Sequence, residues 1–183
     1  MTKFNSDQVL VNMDEAKQLA VKLRAQGKSI VLTQGSWDLI HVGHARYLTE
    51  ARKHGDVLIV GTDSDDKIRL RKGAGRPVVP QAERLEMLTY LAAVDYVALK
   101  SSQAPKFSLI KAIKPDVLIV IKENYSSAQL KEIKKYCGQV KVLPRMATTS
   151  TSAKLRRVQI GQVKKIESKL LGAIEKVLEE FRN

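Results

Sequence analysis

Two histidines three residues apart, His41 and His44, follow closely on the run Ile30-Val31-Leu32-Thr33-Gln34-Gly35-Ser36-Trp37-Asp38. The apolar part of that run reads as a β-strand broken at a glycine, and a helix must begin where the histidines fall, so both imidazoles lie on one face of it. Unbonded N–H groups and the positive end of the helix dipole make a helix N-terminus a phosphate site. Gly43, between the histidines, removes the side chain that would block a ligand from the backbone. The pattern suits a polyphosphate. Two other readings stand beside it. His-x-x-His can reach one metal ion, but Cys137 is the sole cysteine and His54 the sole further histidine, so a closed zinc site would need carboxylates from elsewhere. A purely structural histidine pair is the other.

The charge balance points to an anionic partner. A net charge of +13 and a pI near 9.9 fit a nucleotide, a phosphorylated metabolite, a nucleic acid or an acidic membrane surface. Basic residues concentrate in Lys67–Arg76 and in Lys154–Arg157. A charge run is often no more than a solvated face, yet Gly73, Gly75 and Pro77 mark the first cluster as a loop that could close over phosphates. A nucleotide- or RNA-binding module remains the alternative to an enzyme. Such a module would interleave exposed aromatics with its basic patches, and aromatics make up only 5% of this chain.

At 183 residues the chain is long enough for one well-buried domain and too short for two full α/β domains. Helical spacing over Asp14–Gln26, Ala45–His54, Gln81–Ala93, Lys106–Ile113 and Ser127–Tyr136 alternates with strand-like runs at Ile30–Gly35, Asp56–Gly61, Tyr96–Leu99, Asp116–Ile121 and Gln139–Leu143. This alternation predicts an α/β, doubly wound, Rossmann-like parallel sheet of about five strands with flanking helices. Ligands in such folds bind at the carboxyl ends of the strands, where the histidine motif falls. The expected domain is 1–158. Over 159–183, Val163, Ile166, Leu170, Ile174, Val177 and Phe181 define an amphipathic helix that either covers its own domain or forms the seam of a homodimer. No apolar run approaches a membrane span, the opening residues lack the apolar core of a signal peptide, and one cysteine excludes an internal disulfide. A cytoplasmic protein is expected.

Taken in order, the motifs resemble those of the cytidylyltransferase-like nucleotidyltransferases, and among them the nucleotidyltransferase domains of the bacterial ADP-heptose synthase kind. Gly35-Ser36-Trp37-Asp38 with His41-Val42-Gly43-His44 is similar to that family's G-x-F-D…H-x-G-H, with Trp for Phe. Gly61–Asp65 resembles the turn after its second strand, Lys72-Gly73 and Arg76-Pro77-Val78 its K-G…R-P segment, and Thr149–Ser152 its closing S-T-T or I-S-T-S motif.

The resemblance implies transfer of CMP or AMP from CTP or ATP, accompanied by Mg²⁺, to a phosphorylated small metabolite, with release of pyrophosphate. It implies that His41, His44 and Lys72 are catalytic. Gly35, Ser36, Trp37, Gly43, Arg84, Ser150, Thr151 and Ser152 would bind the nucleotide, Arg84 by holding outer phosphates. Asp38, Asp63 and Asp65 would contact the acceptor; the alternatives are that Asp38 orients the motif and that Asp63 and Asp65 only form turns. One segment departs from the pattern. Ile121-Lys122-Glu123-Asn124-Tyr125 stands where the heptose-type sequence is K-G-G-D-Y, which puts side chains where backbone could approach a base or sugar.

Overall fold

The computed structural model describes residues 6–146 together with residues 170 and 171. The chain divides into two compact units, Met1–Ala147 and Thr148–Asn183. Ser150, Thr151, Ser152 and almost all of the expected C-terminal helix lie outside the described residues; Leu170 and Leu171 are helical and exposed.

In the first unit the elements follow one another as β1 (Val9–Leu10), α1 (Met13–Ala25), β2 (Ile30–Gly35), α2 (Val42–Arg52), β3 (Val57–Asp63), α3 (Asp65–Lys72), α4 (Gln81–Thr89), β4 (Tyr96–Lys100), α5 (Ser108–Ile113), β5 (Val117–Val120), α6 (Ser127–Ile133) and β6 (Gln139–Val142). Among the described residues six strands form one sheet in the order β1-β4-β3-β2-β5-β6. Every pairing is parallel. The doubly wound expectation holds, with one strand more than the five read from the sequence. The addition is β1, whose two residues pair with Val97 and Ala98. Two residues are too few to show any period.

Alternation within β2 shows why this sheet is covered on both faces. Ile30 and Leu32 join α1, α5 and Ile133 of α6 in one apolar cluster. Val31, between them, joins Tyr47, Leu48 and Ala51 of α2 and Leu85 and Leu88 of α4 in the other. All seven residues of β3 are buried, as expected of a central parallel strand. Register is fixed at the amino ends by aspartates standing before the strands. Asp56 Oδ2 accepts from Ser29 N at 2.8 Å, Asp95 Oδ2 from Leu58 N at 2.7 Å, and Asp116 Oδ2 from Ile30 N at 2.7 Å. Each carboxylate thus satisfies an amide at or next to the start of a neighbouring strand.

The basic run is where the structure departs most from the sequence reading. The first part of Lys67–Arg76 is not loop but the body of α3, capped by Ser64 Oγ, which accepts from Lys67 N at 3.3 Å. Arg69, Arg71 and Lys72 occupy its last turn, where the negative end of the helix dipole favours cations. Gly73 then ends it at φ 94°, a conformation that L side chains resist.

The order of strands reverses between β2 and β5, so the carboxyl end of β2 adjoins the crevice where doubly wound sheets hold nucleotides. Beneath it, the Tyr47 hydroxyl meets Thr33 Oγ1 at 3.0 Å inside the core, and burial pushes the phenol up to about 12. A folded-state value above the unfolded one, about 10, contributes stability that is present below pH ~10 and lost as pH climbs toward 12. Urea midpoints should therefore fall steeply above pH ~10. Tyr47→Phe should lose about 1 kcal/mol at pH ~7 with the hydrogen bond, yet fall less steeply in alkali. Equal alkaline slopes in the two proteins would refute this.

Candidate functional site

The site is built on the segment that leaves β2. Gly35 ends the strand, and a Cβ there would stand 3.0 Å from the Trp37 ring, so the missing side chain makes room for the indole. Trp37 and Leu39 adopt left-handed backbone, at φ 52° and φ 50°, a conformation that costs a non-glycine residue free energy unless its surroundings enforce it. Here two anchors do. Trp37 is 6% exposed and donates from Nε1 to the Gly61 carbonyl at 2.9 Å. Asp38, between the two strained residues, accepts from Val78 N and Val79 N and pairs with Arg76 at 2.6 Å.

His41 is the N-cap of α2, and the two histidines cap each other. His41 Nδ1 accepts from Gly43 N at 3.1 Å, while His44 Nδ1 accepts from His41 N at 3.3 Å. A backbone N–H can only donate, so both Nδ1 atoms present lone pairs and the ring protons belong on Nε2. The rings lie 4.1 Å apart, and Trp37 packs edge-on to His44 at 5.6 Å. The amides of His44 and Ala45 turn back to the His41 carbonyl. The backbone N–H groups expected to cradle phosphate are thus largely spent on the cap.

Three cations follow, with different fates. Arg84, expected at the outer phosphates, is 1% exposed and donates from Nε to Val79 O, from Nη1 to Ser36 O and Thr62 Oγ1, and from Nη2 to Asp63 O and Asp65 Oδ1, at 2.7–3.0 Å. A guanidinium has five N–H groups, and all are taken. Arg84 is corrected from a ligand contact to a structural tie. Lys72, by contrast, is exposed at the end of α3. Partial burial, then the Arg71 and Arg76 guanidinium groups, push its ammonium below the usual value, with Asp38 and Asp63 opposing. It shares the charged neighbourhood of the motif. Arg71 is half exposed, and its Nη2 donates to Ser36 Oγ at 2.6 Å and to Asp63 Oδ2 at 2.9 Å.

Several sequence expectations change accordingly. Gly35 and Trp37 are packing partners of each other, and the buried indole of Trp37 is not open to a nucleotide. Asp38 orients the motif, the alternative to its reading as an acceptor contact. Asp63 is 1% exposed and paired with Lys100 at 2.9 Å as well as with Arg71, so it is neither an open substrate contact nor a mere turn former. Asp65 accepts from Arg84 and, through Oδ2, from Gln81 N at 3.1 Å, which joins α3 to α4. Ser36 is buried, but its hydroxyl anchors Arg71. His41, Gly43, His44 and Lys72 are brought to the carboxyl edge of the sheet.

Sequence reasoning did not single out Arg71, Lys100 or Tyr125. The signal for Lys100 was its place at the end of a strand, in register with Asp63. Tyr125 follows a single 3-10 turn, Lys122–Asn124, in the segment that departs from the glycine-rich pattern. Burial, with Asp63 next, pushes its phenol up to about 12. Among the described residues no group of three or more His, Cys, Asp or Glu side chains could hold a metal ion, and no helix is long and apolar enough to cross a membrane.

A family model described as cytidylyltransferase-like matches residues 32–165. The bifunctional protein HldE of Aliarcobacter butzleri is 44% identical over 117 residues, covering 64% of this chain and 24% of that protein. The HldE of Alcanivorax borkumensis is 39% identical over 155 residues, covering 83% of this chain and 31% of its own length. The chain spans about a quarter to a third of the length of these curated relatives. Among solved structures, the lipopolysaccharide core biosynthesis protein from Thermoplasma volcanium superposes with TM-score 0.57 at 26% identity, covering 64% of this chain and 98% of that one. Pantoate-beta-alanine ligase from Francisella tularensis reaches the same TM-score, 0.57, at 16% identity, covering 79% and 68% of the two chains, a likeness of fold alone.

Removing Arg84 strands five acceptors, one of them the Asp65 carboxylate. Arg84→Ala should therefore destabilise the chain by about 3–5 kcal/mol, measured by urea denaturation. Arg84→Lys should recover little, because an ammonium cannot span the same fork. A variant of wild-type stability with weakened nucleotide binding would return Arg84 to the ligand.

Proposed function

The chain belongs to the cytidylyltransferase-like family, and from that membership we propose that it transfers a nucleotidyl group, CMP or AMP, from CTP or ATP to a phosphorylated small metabolite. Sugar phosphates and phospho-alcohols are the acceptor classes of choice. An oxygen of the acceptor phosphate attacks the α-phosphorus, a new P–O bond forms, and the bond to the bridging oxygen breaks as pyrophosphate leaves with its electron pair. The attacking phosphate is already an anion near neutral pH, so no general base or covalent nucleophile is needed. The work left to the protein is alignment of two anions and stabilisation of charge.

The observation that carries this reading is the reciprocal cap. It fixes both imidazoles at the start of α2, just beyond the carboxyl end of β2 and beside the crevice between β2 and β5. His41 and His44 would donate to the α-phosphoryl oxygens and to the leaving bridge oxygen. Neutral donors suit that position, because neither must lose or gain a proton during the step. Lys72 supplies the positive charge for the triphosphate from the end of α3. The carboxylates near the motif, Asp38 and Asp63, are already committed to cations, which fits a Mg²⁺ held by the nucleotide's phosphates and not by a protein cage. When bound it would neutralise part of the triphosphate charge.

Pyrophosphate release should be followed with ATP or CTP against glycerol 3-phosphate, ethanolamine phosphate, a flavin phosphate and sugar 1-phosphates. His41→Ala and His44→Ala should each lower turnover by roughly 10²-fold, the usual effect of removing one donor to a developing charge, with the folded state retained. Near wild-type release in both variants sinks the reading. Lys72→Ala should weaken triphosphate binding, and Lys67→Ala should do so far less, because Lys67 Nζ turns away to the Ser101 carbonyl at 3.2 Å. Equal small effects would make the basic run a solvated face.

A further inference from the structure

Asp63 is a buried carboxylate with two cationic partners. Lys100 Nζ lies 2.9 Å from Oδ1 and Arg71 Nη2 2.9 Å from Oδ2. One cation is enough to neutralise one carboxylate, and Lys100, 16% exposed, is the partner that shares its burial. The group therefore carries a surplus positive charge, and that charge resides on Arg71, whose side chain is 55% exposed. The contrast with Arg84 is informative. That guanidinium is 1% exposed and has every N–H bonded. Arg71 spends only Nη2, on Asp63 and Ser36 Oγ, and among the described residues the N–H groups on Nε and Nη1 have no acceptor. It is an oriented donor set facing outward.

Its place decides which anion it meets. The nucleotide belongs in the crevice between β2 and β5, where strand order reverses. Arg71 stands on the other side of β2, on α3 beyond the carboxyl end of β3, tied to Ser36 at the beginning of the histidine segment. In-line displacement requires the attacking phosphate to approach the α-phosphorus from the side opposite the leaving pyrophosphate. Successive helical residues also diverge by about 100° around the axis, so Arg71 and Lys72 address different groups.

Resting on the nucleotidyl-transfer reading above, we propose that Arg71, held by Asp63, Lys100 and Ser36, grips the non-attacking oxygens of the acceptor's phosphate and so helps determine which acceptor is used. Asp63 and Lys100 are positioning residues in this arrangement. A planar, always charged guanidinium fixed at one edge suits a phosphate monoester. Tyr125, in the departing segment, feels the charges of both Asp63 and Arg71.

The test is equilibrium titration of the full chain with non-hydrolysable ATP and CTP analogues and, separately, with glycerol 3-phosphate and a hexose 1-phosphate. Steady-state kinetics follow with whichever pair releases pyrophosphate. Arg71→Gln should weaken monophosphate binding by about 10-fold or more, the scale of a lost charge-assisted bond, leave the nucleotide analogues within about twofold, and raise acceptor KM more than it lowers kcat. Asp63→Asn should raise acceptor KM by a smaller factor, because the charge remains and its anchor goes. Arg71→Lys, which keeps the charge on a less specific head, should fall between wild type and Arg71→Gln and serves if the latter does not fold. An equal loss of nucleotide analogue and monophosphate binding assigns Arg71 to the nucleotide and overturns the proposal. Unchanged acceptor affinity, or no monophosphate binding by the wild-type chain, overturns it as well. If Arg71→Gln loses monophosphate binding while no nucleotide supports pyrophosphate release in the wild type, the transfer reading fails and the anion site stands.

Discussion

Arg84 is the interaction on which the ligand-facing edge of this molecule depends. Its guanidinium ties the end of β2, the end of β3, the start of α3 and the approach to α4 into one unit, through Ser36 O, Thr62 Oγ1, Asp63 O, Asp65 and Val79 O. Burying a charge costs several kcal/mol, and the cost is offset only where every donor finds an acceptor of good geometry. That condition makes the arrangement stringent. The loops after β2 and β3 must close to within hydrogen-bond distance of one point, and this fixes where Ser36, Asp63 and Asp65 stand before any ligand arrives. Arg84 therefore governs a site that it cannot touch.

The same logic separates the other cations. Arg76 lies against Asp38 and holds the strained Trp37–Leu39 turn from one side; Lys100 neutralises Asp63 from beneath. These groups convert two buried carboxylates into fixed struts. Arg71 and Lys72 are left with charge directed at solvent, so the surplus positive charge of the chain is concentrated, at this edge, on the residues best placed to meet an anion. The composition showed the surplus, and only the pairing shows where it is presented.

How much of this the sequence reveals follows from the range of each interaction. Hydrophobic periodicity is local, so five strands and the two-sided cover of β2 and β3 are legible in it, while two-residue β1, defined by its pairing to β4, is not. Glycines at 73 and 75 and Pro77 made all of Lys67–Arg76 look like loop. Ser64 followed by two aspartates was the opposing signal, an N-cap with acidic first turn that starts α3. Trp37 beside Gly35 reads as a nucleotide contact, because nothing in the sequence says that Gly61 O lies opposite its indole N–H. Arg84 looked like a phosphate ligand for the same reason, since its five acceptors come from three separated segments, at 36, at 62–65 and at 79. The histidine pair was legible because its chemistry is set by spacing within one turn.

That locality bears on how the pair works. A helix N-terminus normally binds anions with backbone amides, and those amides are strong but fixed in direction. Here Gly43 donates to His41, and His41 donates to His44, so these amides orient the imidazoles. Each Nδ1 accepts from the main chain, so each imidazole is rooted in the backbone of the helix. Hydrogen bonds linked in this way polarise one another. The tautomer is thereby set by main-chain amides on Nδ1. An aspartate partner would orient a histidine equally well and repel the ligand; a backbone amide orients it and keeps the local potential positive.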